Sequence, residues 1–103
     1  MNIRIPKSFN IFGHTYTVEF DSQLDVDHDA VGTCSTRKHI IKLQPDSEAK
    51  PRLKSQIEQS YLHELVHVIL RELMYNDLDN NEQFIDTFAS ALHQILTTSE
   101  YGK

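Results

Sequence analysis

The chain has 103 residues, a formal net charge of −5 and a single cysteine. That length is one ordinary domain, residues 1–103, able to bury about 65% of its unfolded surface without staples. The acidic balance, with no basic cluster longer than Arg37-Lys38, argues against nucleic acid or an anionic membrane as partner. The lone Cys34 excludes an intrachain disulfide and suits a reducing compartment. The first residues lack the apolar core of a signal peptide, and no apolar run approaches the ~20 residues of a membrane span. The expectation is a cytoplasmic protein.

Residues 2–20 read as strand. Ile3 and Ile5, then Phe9 and Ile11, then Tyr16, Val18 and Phe20 alternate with polar neighbours. Gly13 marks a tight turn, so 8–20 is a candidate hairpin, and Pro6 fits an edge or a break. Residues 21–30, DSQLDVDHDA, read as an acidic connector. Asp25, Asp27 and Asp29 have the spacing that opens a calcium loop. Ala30 and Thr36 stand where that loop needs Gly and Glu, so the run reads as solvated.

Val31–Gln44 reads as a second hairpin, with Ser35–Lys38 as its turn and His39–Leu43 as its second strand. Pro45–Pro51 breaks the pattern. Pro51 suits the first turn of a long helix to about Tyr75, polar at first and apolar later. Asn76–Asn81 reads as a loop ending in capping residues. Glu82–Thr97 reads as a second helix with one broad apolar face of Phe84, Ile85, Phe88, Ala89, Ala91, Leu92, Ile95 and Leu96. Residues 98–103 read as a loose tail.

The chemistry lies in Tyr61–Leu73, YLHELVHVILREL. His63 and His67 are one helical turn apart on one face and can share a metal ion. Glu64, between them, is placed as a base rather than a ligand. Two His and a Glu are costly to bury in so apolar a run unless something pairs with them. A catalytic zinc takes three protein ligands, so a third must come from elsewhere. Asp77, Asp79, Glu82, Asp86 and His93 are the candidates. Tyr61 and Tyr75 flank the motif and read as packing residues. His14, His28 and His39 read as non-ligands, and nothing at ligand spacing accompanies Cys34.

HELVHVIL at 63–70, followed by EQFIDTFASAL at 82–92, resembles the gluzincin metallopeptidases. More narrowly, the chain resembles the minimal zincins encoded by phages, prophages and mobile elements. The resemblance implies an α+β, zincin-like domain: N-terminal antiparallel β-hairpins packed on a long HExxH helix and a second C-terminal helix. It implies one Zn2+ per chain, a peptide or protein substrate, and strand addition of that substrate to a sheet edge at Val31–Ser35 or His39–Leu43. It places the third ligand at Asp86, where the family usually has Glu. Glu82, one turn earlier on the same stripe, is the rival. The pair can also divide the work, one as ligand and one holding a histidine N–H. His93 is a further alternative, and it is the fourth ligand that a closed structural zinc site would require. A different class of function, an inactive zincin fold serving as a protein-binding module of phage or regulatory type, is the alternative to an enzyme.

Overall fold

The computed structural model describes residues 3–102. Its strands are β1 (Ser8–Ile11), β2 (His14–Phe20), β3 (Gly32–Ser35) and β4 (Ile40–Leu43). Its helices are α1 (Leu24–His28), α2 (Lys54–Glu72), α3 (Asn76–Asp79) and α4 (Glu82–Thr98). The α+β class, both hairpins and both long helices are as the sequence led us to expect.

The first hairpin closes on Phe12 and Gly13, with φ of 49° and 83°. Positive φ at both central residues is the turn whose twist matches the strands it joins. Residues 3–7 lie outside β1, although Lys7 O still accepts from Val18 N, so the strand starts later than the alternation suggested; residue 2 lies outside the described residues. Ile3 and Ile5 still pack against the core. In the second hairpin His39 takes the left-handed conformation, φ 55°, and β4 starts one residue later than expected.

The order β1-β2-β4-β3 joins the hairpins through a parallel β2–β4 seam, with Thr17 opposite Ile40 and Phe20 opposite Leu43. The sheet is therefore mixed, and β3 is an edge. α2 packs against β3 and β4 on one side and against α4 on another. Tyr16, Ile41, Leu43, Leu62, Val66, Val68, Leu70 and Ile85 form the centre of the core.

The acidic connector is not a plain loop. Leu24, fully buried, anchors α1. The buried Gln44 side chain donates to Ser22 O and accepts from Asp25 N. Lys50 Nζ holds Asp25 Oδ1 at 2.9 Å. Local propensity does not predict this turn of helix; tertiary bonds from residues 44 and 50 make it.

α2 is shorter than expected at both ends. Gln56 Oε1 accepts from Leu53 N at its start. Met74, in the left-handed region at φ 63°, ends it. There Met74 N donates to Arg71 O and Tyr75 N to Leu70 O, a crossed pair that satisfies the last carbonyls. The polar first turn is exposed and the second half is central, as expected. Glu58 is the exception: it is 1% exposed and faces His93 Nε2 across the α2–α4 contact at 2.8 Å.

The expected loop after α2 contains the short α3. Asn81 caps α4 by accepting from Phe84 N at 3.1 Å. α4 extends to Thr98, and Ser99 N caps it by donating to Ile95 O. The broad apolar face of α4 is only half covered. Ile85 and Ala89 are buried, while Phe88 and Ile95 are 47% and 59% exposed. Among the described residues no helix is long and apolar enough to cross a membrane.

Candidate metal centre

HELVH falls in the central turns of α2, where one face meets the sheet and the other meets α3 and α4. The His63 and His67 rings lie edge to face with centroids 5.0 Å apart. Their Nε2 atoms converge on one carboxylate, that of Glu82 in the first turn of α4, at 3.2 and 3.1 Å. Their Nδ1 atoms point away from it, each to a different aspartate. His63 Nδ1 is 2.8 Å from Asp86 Oδ1, and His67 Nδ1 is 2.6 Å from Asp79 Oδ1.

All four ring nitrogens therefore face carboxylate oxygens. A neutral imidazole has one N–H and one lone pair. If each Nδ1–H donates to its aspartate, each Nε2 lone pair confronts an oxygen of Glu82, acceptor against acceptor. A second proton on each ring would relieve this, and so would a cation between the three side chains. One ligand atom from each of His63, His67 and Glu82 lies within 4.8 Å of the others, so the group can hold a metal ion. Each Nε2 faces its own Glu82 oxygen, at a separation near the ~3.3 Å between ligand atoms around a tetrahedral ion with bonds of ~2.05 Å. The donor set, two imidazoles and a carboxylate, suits zinc.

The structure thus brings together His63, His67 and Glu82. Asp86 stands behind His63, oriented to accept its Nδ1–H. Asp79 stands in the same relation to His67. His93 is turned to Glu58 and stays out of the group. Asp77, on α3, is exposed.

Asp79 is more than a neighbour. Arg71, one turn beyond His67, donates from Nε to both its oxygens at 3.2 and 3.0 Å. Burial opposes the charge on Asp79, but the hydrogen bonds from His67 and Arg71 outweigh it and hold the carboxyl below its usual range. With the folded-state value lowered, the stabilisation is present above the ordinary aspartate range, ~3.9, and is lost as pH falls through the lowered value. Asp79→Asn should therefore cost about 1–2 kcal/mol at neutral pH, a hydrogen bond to charge discounted for the exposed arginine. In a series of melts from neutral pH into acid, the gap from wild type should close. A gap that held constant would exclude this ionisation as its source.

The same Arg71 reaches Cys34 on β3, with Nη1 3.1 Å from Sγ. Burial, then the charge of Glu64, pushes the Cys34 thiol up to about 12, so it stays protonated and can donate to the Glu64 carboxylate. Glu64 itself is nearly buried, and burial raises its carboxyl above the usual range. His63, the Cys34 hydrogen bond, His67 and Arg71 each oppose that rise.

Gly32 on β3 completes the setting. A Cβ there would lie 3.2 Å from Glu64 Cγ and 3.3 Å from Oε2. Its missing side chain lets the strand lie against the carboxylate. Gly32→Ala should displace Glu64 while leaving the metal group intact. Metal content should stay at the wild-type value, and any hydrolytic rate should fall at least about tenfold. An unchanged rate would show that Glu64 does not depend on this contact.

Sequence reasoning missed Arg71, Cys34 and Gly32. Arg71 had a signal, since it follows His67 at the i, i+4 spacing of a shared helix face. The other two had none, because they reach the site only through the sheet.

Two cavities of about 440 Å³ each flank the centre and share Gly32, His63 and Glu64. One is bordered by Ala30, Val31 and Ala89, the other by Thr33, Arg71 and Asp79. Both border β3. No known protein family, curated protein or solved structure matches this chain.

Proposed function

We propose that the protein is a zinc-dependent metallopeptidase. The observation that carries this reading is the convergence of His63 Nε2 and His67 Nε2 on Glu82 while both Nδ1 atoms are engaged by aspartates. His63, His67 and Glu82 would hold the ion, with Asp86 and Asp79 fixing the tautomer of each ring. Held there, zinc supplies a Lewis acid that polarises a carbonyl and brings the pKa of water toward ~7.

Glu64 does the proton work. It takes a proton from the attacking water and delivers it to the leaving amine. Its raised carboxyl suits that task, because a base must hold a proton briefly and then release it. Cys34 orients the carboxylate, and Arg71 ties Cys34 to Asp79.

The edge position of β3 supports a peptide substrate. Gln44 N donates to Val31 O, and antiparallel alternation then turns the N–H and C=O of Gly32 and Cys34 to the open edge. An extended peptide can add there as a further strand, beside Glu64. A closed structural site lacks support, because His93 pairs with Glu58.

The test is hydrolysis of a quenched-fluorescent peptide library by zinc-reconstituted protein. Activity should vanish with a chelator and return with zinc. Zinc-loaded protein that binds peptides and cleaves none would favour the binding module instead.

A further inference from the structure

From Thr87 to Ser99, α4 and its cap contain no Asp, Glu, Lys or Arg, in a chain that is 24% charged. An exposed helix normally has charges on its outer face. Here the outer positions are Thr87, Phe88, Ala91, Gln94, Ile95 and Thr98, all exposed. Phe84, Phe88, Ala91 and Ile95 recur at four-three-four spacing, which makes one straight seam along a helix. The Phe84 and Phe88 rings already touch, centroids 5.5 Å apart. Loss of charge together with aromatic enrichment marks the centre of a protein interface.

We propose that this seam is a dimer interface, in which α4 packs antiparallel against α4 of a second copy. Two features on the helix choose that occupant. First, the seam is self-complementary under a two-fold axis. Reversing it sets Phe88 over the partner's Ala91 and Phe84 over the partner's Ile95, large against small and aromatic against branched. A parallel pair would stack Phe88 on Phe88 and leave Ala91 facing Ala91. Second, the seam carries no charge, so two copies with a net charge of −5 each can meet there without like charges facing one another. The same charge, and the lack of any basic residue on the seam, disfavour an anionic membrane.

The dimer leaves the metal centre open. At 100° per residue, Glu82 and Asp86 lie roughly half a turn around α4 from the seam. The contact is about 17 Å long, which places it at or below the small end of specific interfaces, ~1,000 Å², as for a weak and reversible dimer.

Sedimentation equilibrium from ~5 to ~500 μM tests this. Wild type should fit a monomer–dimer equilibrium. Phe88→Glu and Ile95→Glu should each weaken it at least tenfold with unchanged circular-dichroism melts, and Phe88→Leu should retain it. A mixture of Phe88→Cys and Ala91→Cys proteins, both with Cys34→Ser, should form the mixed disulfide in preference to either homodimer. That arm stands even if the glutamate variants unfold. A wild type that stays monomeric throughout would overturn the proposal. So would a dimer indifferent to both glutamates, random cross-linking, or binding to phosphatidylcholine vesicles through the seam without self-association.

Discussion

Glu64→Gln is expected to abolish peptide hydrolysis, by about 10²–10⁴-fold, while zinc stays bound. The amide has nearly the volume of the carboxylate, so the packing around Gly32 is preserved. It cannot take a proton, so only the base is removed. The substitution should also stabilise the fold. Burial raises the Glu64 carboxyl, so at neutral pH the folded state holds a charge that the unfolded state solvates more easily. The sign follows from linkage: for a carboxyl raised on folding, stability falls as pH rises above the unfolded value, ~4.3. The variant should therefore melt higher than wild type at pH 7, and the two should converge in acid. Gain of stability with loss of rate is the signature of a strained catalytic group. Retained hydrolysis of a confirmed substrate would remove Glu64 from the mechanism.

Glu82→Ala and Asp86→Ala should separate ligand from support. Both carboxylates touch His63, but only Glu82 reaches both Nε2 atoms. Removing Glu82 should weaken zinc binding by on the order of 10³-fold, so that purified protein loses its metal. Removing Asp86 frees His63 Nδ1 and should cost about 10–100-fold, the usual effect of an outer partner. Competition titration against a chromogenic chelator gives both numbers. The opposite ranking would assign the third ligand to Asp86, the position that the gluzincin resemblance implies.

What could be read from the chain follows from how local each feature is. HELVH lies within two turns of one helix, so spacing alone aligns His63 with His67 and sets Glu64 beside them. The carboxylates were visible as a short list, because α3 and α4 begin soon after the motif. Their order was not visible. Whether Glu82 or Asp86 faces Nε2 depends on the rotation of α4 about its axis, which is set by burial of Ile85 and Ala89. Periodicity also cannot tell a covered apolar face from an open one, and so Phe88 and Ile95 read only as members of one broad apolar face. The β2–β4 seam leaves no mark in local pattern, since antiparallel hairpins read alike however they are joined. Gly32 and Cys34 reach the site through β3, which pairs with β4 and packs on α2.

The Arg71 side chain joins contacts of very different reach along the chain. Asp79 is 8 residues away, and that aspartate is only 12 from His67. Cys34 is 37 residues away. Ion capture thus depends on a short contiguous stretch, closed by neighbours that meet early as a chain condenses. Placement of Glu64 depends on the edge strand β3, which meets α2 only through contacts of longer reach along the chain. During synthesis or refolding, affinity for an ion should consequently appear before any hydrolytic rate, and the two can be timed separately.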